Sequence, residues 1–340
     1  MRDVLGDIAR WHSRGEQVAL ATVVASRRSA PRPVGAKLAM SESGELAGSV
    51  SGGCVEGDVV EHAREVLAGA PPRLVSYGIP DDFAFSVGLP CGGEIDVFVE
   101  LADRGLIEQV RTLLDEDLRG VLFTVIGGDG LGARTLALED EPAADEALRR
   151  GRSHVQEAGG TMVFVDVFGP PPRLLVFGAV DTAEELCRAA KRLGWQTIVA
   201  DARGRFATAE RLPSADEILV AWPEEVLARV QPGRDTAVVV LTHDDKFDLP
   251  TLAGALETDA FYIGAIGSRR NQARRRELLL EAGLTEAQLE RISGPCGLDI
   301  GAETPAETAL SILAEILARR SERAGGPLRD GAGRIHAEVA

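Results

Sequence analysis

Several short stretches of this sequence combine reactive or ligand-holding residue types with a spacing that would present them. Ser49-Val-Ser-Gly-Gly-Cys-Val-Glu-Gly follows an apolar strand-like run and opens a helical pattern. Glycines let a backbone approach a ligand closely, and the free amides at a helix start attract anions. Ser51, Gly52, Gly53 and Cys54 therefore form a candidate anion loop, with Cys54 in a first turn whose dipole favours a thiolate. Gly88-Leu-Pro-Cys-Gly-Gly-Glu sets Cys91 against a second glycine pair. Cys54 and Cys91 are thus candidate reactive or ligand-proximal sulfurs. Arg32 and Lys37, in Ala30-Pro-Arg-Pro-Val-Gly-Ala-Lys, would supply positive charge to the same pocket.

The second half carries its chemistry at the ends of predicted strands. In Phe177-Gly-Ala-Val-Asp-Thr-Ala, Gly178 and Ala183 fit the first and third places of a Gly-x-Gly-x-x-Gly/Ala dinucleotide turn. Val180 takes the second place, and Asp181 adds negative charge beside the phosphates. Asp201 follows Gly178 by 23 positions, where a ribose-binding acid belongs, and Arg203 is placed to meet an added phosphate. Leu241-Thr-His-Asp-Asp offers His243 as a candidate acid/base; the plainer alternative is that Thr242 and Asp244 satisfy turn and helix-cap amides. Ile266-Gly-Ser-Arg-Arg opens an arginine-rich helix. Cations in a first turn oppose the helix dipole by roughly 0.3–1 kcal/mol each. That excess is better explained by an anion held at Gly267, Ser268, Arg269 and Arg270, with Arg274–Arg276 a solvated basic face. The glycine-rich loop Gly294-Pro-Cys-Gly-Leu-Asp is placed to wrap a ligand. Thr304-Pro-Ala-Glu307 is a capping box and structural. Cys187, on a helix flank, reads as a buried inert thiol, and Cys296 has no assigned role.

Composition bounds these candidates. Lys+Arg number 37 and Asp+Glu 53, a formal charge of 37 − 53 = −16 over 340 residues. Such a chain lacks the clustered cations that nucleic acid or an anionic membrane surface requires. The longest largely apolar run, Val18–Ala25, is eight residues, far short of the ~20 that span a bilayer. The N-terminus has no apolar signal segment, and four scattered cysteines read as reduced thiols, so the expected compartment is the cytoplasm.

Periodicity supplies the frame. A first helix capped by Asp3 and stopped by Gly15 precedes a strand at Val18–Ala25, a hairpin at 37–50 and a helix over Val55–Leu67. Strands at 73–79, 94–101, 121–126, 136–138 and 161–168, a helix around 106–118 and a polar helix-bearing connection at 139–160 make residues 1–168 an α+β domain. Gly169-Pro-Pro-Pro-Arg173 is a stiff linker. Residues 174–320 then alternate strand and helix, including a helix from about Leu249, and predict a doubly wound parallel sheet. Residues 321–340 read as a disordered tail. The fold class is α/β.

Taken together, Ser29–Lys37, the Gly48–Gly57 segment, Gly88–Gly93, Leu174–Gly178, Leu241–Asp248, Phe261–Arg270 and Gly294–Glu307 resemble the XdhC/CoxI family. That family comprises accessory proteins of xanthine dehydrogenases and carbon monoxide dehydrogenases, and the resemblance covers about residues 1–320. It implies an N-terminal domain followed by a Rossmann-like domain. It also implies a maturation factor that binds the molybdenum cofactor (a molybdopterin), shields it during sulfuration and hands it to a molybdenum hydroxylase apo-enzyme. A cysteine desulfurase is a further candidate partner and a homodimer a candidate assembly. The pterin's phosphate suits Ser268–Arg270 or a glycine-rich helix start; Cys54 and Cys91 would offer soft sulfur to molybdenum. The family usually reads Gly-Ala-Gly-His where this chain has Gly178-Ala179-Val180-Asp181. The competing interpretation is an NAD(P)-dependent oxidoreductase, with Asp201 on the ribose and His243 moving the proton.

Overall fold

The computed structural model describes residues 1–27, 32–78, 93–139 and 141–330. The chain divides into two compact units, Met1–Pro170 (joined by the segment from Leu328) and Pro171–Pro327, so the division falls inside the proline-rich segment.

In the first unit, β1 (Val18–Arg27), β2 (Lys37–Ser41), β3 (Leu46–Gly48), β4 (Arg73–Tyr77) and β5 (Glu94–Leu101) form an antiparallel sheet in the order β3-β2-β1-β5-β4. A second antiparallel sheet has the order β7-β6-β9-β8, from β6 (Gly120–Gly127), β7 (Arg134–Leu138), β8 (His154–Ala158) and β9 (Thr161–Phe168). Helix α1 (Arg2–Ser13) buries Val4, Leu5, Ile8 and Trp11 at helical spacing against Leu20 and α3 (Arg104–Asp115). Helix α2 (Glu56–Leu67) lays Val59, Ala63 and Val66 on Ala19, Ala21 and Val97 of the first sheet. Each such side chain contributes about 1.5–3 kcal/mol when fully buried. Helix α4 (Pro142–Arg150) covers the second sheet. Two expectations are corrected here. Met1, not Asp3, is the cap of α1, and the polar connection at 139–160 contains a strand, β8, besides its helix.

The second unit is a parallel sheet in the order β12-β11-β10-β13-β14-β15. Its strands are β10 (Arg173–Phe177), β11 (Gln196–Ala200), β12 (Glu217–Leu219), β13 (Thr236–Val240), β14 (Tyr262–Ala265) and β15 (Ile292–Ser293). Strand β10 is apolar on both faces because both are covered. Leu174 and Val176 pack toward α5 (Asp181–Arg192) and α10 (Pro305–Arg320). Leu175 and Phe177 pack toward α6 (Pro223–Val230) and α7 (Asp245–Leu256). Helix α7 starts at Asp245, four residues before the expected Leu249, and carries Pro250 inside it; Asp244 caps it, accepting from the Lys246 amide at 3.1 Å. Helices α8 (Arg269–Glu281) and α9 (Glu286–Leu289) precede β15. Thr304 and Glu307 form the predicted capping box of α10. Of the tail expected to be disordered, residues 321–330 are described and include a 3-10 turn at Leu328–Asp330. No helix among the described residues is long and apolar enough to cross a membrane.

Candidate functional site

The glycine loop of the first unit closes on its own carboxylate. Helix α2 begins at Glu56 with Val55 as its cap, so the half-buried Cys54 precedes the helix instead of lying in its first turn. Glu56 Oε1 accepts from the Ser49 hydroxyl (2.7 Å) and from the amides of Val50 (3.2 Å) and Ser51 (2.8 Å). Its Oε2 accepts from the Gly53 amide (2.8 Å) and the Ser51 hydroxyl. The Ser49 hydroxyl in turn accepts from the Gly52 amide, and the Ser51 hydroxyl from those of Cys54 and Val55, each at 2.9 Å. Gly52 (φ +75°) and Gly53 (φ +112°) permit the backbone to curl this way. Burial works against ionising Glu56, but the Ser51 and Ser49 hydroxyls and the Ser51 amide outweigh it and hold the carboxyl down at about 2. Every amide from Val50 to Val55 thus has an acceptor within the loop. The amides expected to be open to an outside anion hold Glu56 instead.

Lys37 is corrected as well. It is 1% exposed, with Nζ 2.7 Å from Asp166 of β9 and 3.3 Å from the Thr22 hydroxyl; Ser153 donates to the other Asp166 oxygen at 2.9 Å. Its charge is paired inside the unit with Asp166. Arg32 is exposed. Cys91, with Gly88–Gly92, lies outside the described residues.

In the second unit, the chain reverses order between β10 and β13, where a doubly wound sheet opens its ligand crevice. Gly178 (φ +112°) closes the first turn; a Cβ there would lie 2.9 Å from Thr242 Cγ2. Val180 caps α5 in extended conformation without a side-chain bond, and Asp181 is exposed. Asp201 does not wait for a ribose. Its Oδ2 accepts from the Ala179 amide (2.9 Å) and Arg203 Nη2 (2.8 Å), and its Oδ1 from the Arg203 amide and Nε (both 2.9 Å). Burial raises the cost of that charge, but the bonds from Arg203 and Ala179 prevail and hold the carboxyl below its usual range. The Arg203 guanidinium also lies 4.8 Å over the Phe206 ring and 5.8 Å over Phe247, which stacks on Trp222 at 5.1 Å. The crevice between Gly178, Asp201, Ala221, Thr242 and Phe247 has a cavity of about 10 Å³, room for roughly one water.

The neighbouring strand ends separate into committed and open groups. His243 is exposed, with no hydrogen bond or ion pair among the described residues. Thr242 donates instead to Asp248, whose other oxygen lies 2.5 Å from Arg275. Both partners are buried, and burial pushes the Asp248 carboxyl up despite Thr242 and Arg275. Arg275 is therefore a core residue, a correction to the solvated basic face; Arg274 pairs with Asp245 and Arg276 with Glu286. Ser268 caps α8, accepting from the Asn271 amide at 3.2 Å, while Gln272 pins the preceding loop through the Ala265 and Ile266 carbonyls. Arg269 and Arg270 are exposed beside Gly267 (φ +135°), and neither has an ion pair among the described residues. Burial pushes the Cys187 and Cys296 thiols up to about 12, so both are inert near neutral pH. Sequence reasoning missed the roles of Glu56 and Phe247. The signals were an acid in a helix first turn beside serines, and an aromatic in the first turn of the helix that follows a strand end.

Comparison with known proteins finds two family models on the chain. The model of the XdhC and CoxI family matches residues 11–78, and that of the XdhC Rossmann domain matches residues 174–316. A probable xanthine dehydrogenase subunit from Bacillus subtilis (strain 168) is 30% identical over 322 residues, 90% of this chain and 94% of that protein. The molybdenum cofactor insertion chaperone PaoD of Escherichia coli (strain K12) is 28% identical over 306 residues, 90% of this chain and 84% of that one. Among solved structures, the crystal structure of a xanthine dehydrogenase from Bacillus halodurans is similar with a TM-score of 0.71 and 26% identity, covering 96% of this chain and 98% of that one.

Proposed function

The chain belongs to the XdhC and CoxI family, and we propose that it binds the molybdenum cofactor as cargo and inserts it into a molybdenum hydroxylase apo-enzyme in the cytoplasm. The similarity to an insertion chaperone supports the delivery role, and that to a xanthine dehydrogenase component supports a client of the xanthine dehydrogenase type. Sulfuration of the cargo while it is held, with a cysteine desulfurase as sulfur source, completes the proposal.

One observation carries it to residues. In a chain of charge −16, whose other α8 arginines are all paired to carboxylates, Arg269 and Arg270 stand exposed and unpaired among the described residues at a helix start. Two guanidiniums and a helix N-terminus suit a phosphate monoester such as the pterin's. In the first unit, the half-exposed Cys54 is, among the described residues, a sulfur available to a soft metal.

The test is to co-express the protein with cofactor synthesis and identify the extracted ligand by mass spectrometry. Wild type is expected to carry molybdopterin. Arg269→Ala/Arg270→Ala should lose about tenfold or more in loading, since a hydrogen bond to a charged group is worth about 1.5–3 kcal/mol. Cys54→Ser tests the sulfur separately. No pterin on wild type sinks the function; undiminished loading of the arginine variant sinks the site.

A further inference from the structure

The order β12-β11-β10-β13-β14-β15 is that of dinucleotide-binding sheets, and a nicotinamide or flavin dinucleotide is the ligand the fold implies. Such a ligand needs four things at this crevice. It needs open amides in the first turn for the pyrophosphate, a second glycine for close approach, an acid at the end of the second strand for the ribose, and volume for adenosine on that side.

The chain's own groups occupy the crevice side of this turn, while the Asp181 and Thr182 amides at the start of α5 have no acceptor among the described residues. The Ala179 amide is bonded to Asp201, and Val180 puts a side chain where the second glycine would be. Both Asp201 oxygens are engaged by Arg203, two residues along. Phe247 reaches from α7 over the ends of β10, β11 and β12, held between Trp222 and the Arg203 guanidinium. What is left between these side chains is about 10 Å³, room for roughly one water.

We infer that this crevice is closed to dinucleotides by the chain's own side chains, the Asp201–Arg203 pair taking the Ala179 amide and the ribose-binding acid and Phe247 the adenosine side. Asp201 acts as the turn's resident anion. Phe247 and Trp222 make between themselves the stack that a base would otherwise make with an aromatic ring. The second unit then keeps the sheet of a redox enzyme as a scaffold.

Calorimetry of the full-length protein with NADH, NADPH, FAD and ADP tests this, with the fluorescence of Trp222 at the crevice as a second readout. Up to about 1 mM nucleotide, wild type is expected to show no saturable signal; a Kd below about 1 mM for any of them overturns the inference. Asp201→Ala/Phe247→Ala frees the turn amide, the guanidinium and the adenosine side at once. Once its fold is verified by circular dichroism and a cooperative melt, it should bind ADP with a Kd at least tenfold below the wild-type limit. Phe247→Ala alone leaves the Asp201–Arg203 pair intact and should gain adenosine binding by a similar factor, which covers the case that the double variant does not fold. Refusal of nucleotide by a folded variant removes these side chains as the cause of closure. Molybdopterin loading is measured on the same wild-type preparation, so failure here is distinct from failure of the cargo proposal.

Discussion

Replacing Glu56 with glutamine should destabilise the first unit in a manner that depends on pH. The Glu56 carboxylate accepts five hydrogen bonds, from two serine hydroxyls and three amides. A glutamine keeps one acceptor oxygen but turns an NH₂ toward groups that themselves donate. The folded carboxyl is held down at about 2, from an ordinary 4.5. At 1.36 kcal/mol per unit, that difference sets a ceiling of about 3 kcal/mol. Glu56 is partly exposed, so solvent screening cuts the expected loss to about 1–2 kcal/mol. The sign follows from the depressed value. The contribution is complete above 4.5, where the unfolded carboxyl is also ionised, and fades as pH falls toward 2. Urea unfolding of wild type and Glu56→Gln at pH 7 and at steps down to pH 3 is the assay. The gap should be widest at pH 7 and narrow below about 4.5. Equal stability at pH 7, or a gap unchanged from pH 7 to pH 3, would refute the idea that an ionised Glu56 closes the loop.

Three further outcomes are expected. Lys37→Met strands Asp166 in the interior without its cation and should cost about 3–5 kcal/mol by urea unfolding, and adding Asp166→Leu should recover much of it; a silent Lys37→Met would mean that the pair does not hold the two sheets. Cys187 and Cys296, with thiols pushed up to about 12, are ionised at pH 8 to about one part in ten thousand. Iodoacetamide should therefore label Cys54 well before either, read by peptide mass spectrometry, and early labelling of Cys187 would contradict its burial. Gly178→Ala brings a Cβ to 2.9 Å from Thr242 at φ +112° and should lose about 1–3 kcal/mol, visible as a lower melting temperature.

The layout of the chain was legible because its strands and helices differ in period and its breakers are strong. Glu94–Leu101 and Thr161–Phe168 form strands over the predicted residues, and Thr304-Pro-Ala-Glu307 makes the box its spacing predicts. Short elements with little apolar pattern escaped. Strand β8, His-Val-Gln-Glu-Ala, lies inside a polar stretch, and β15 is only two residues long. The start of α7 was placed near Leu249, although the Asp244 cap that the sequence offered sets the true one. Side-chain partnerships were the least legible. The pairing of Lys37 with Asp166 spans 129 positions, and Arg275 became a core residue only because α8 packs against Asp248 of α7. Neither distance can be read from periodicity, which fixes faces and not contacts.

Both glycine-rich turns resolve the same way, and the reason is one of competition. A turn that points several amides inward accepts whichever carboxylate arrives first. A carboxylate a few residues along the chain, or at the end of the adjacent strand, acts at an effective concentration on the order of millimolar or above. An outside anion at lower concentration loses unless it brings more charge or more contacts. Glu56 holds the first loop from three residues past Gly53, and Asp201 holds the second from the neighbouring strand. In an acidic chain such internal claimants are common, so glycine spacing alone is a poor guide to an open site. The loop that opens α8 differs in the feature that decides the contest: from Ile266 to Arg276 there is no Asp or Glu. Its serine satisfies the helix cap as a neutral group, and Arg269 and Arg270 are left with charge to offer. Local absence of acid, more than the presence of glycine, separates the loop whose charge is unclaimed from the two that have already filled themselves.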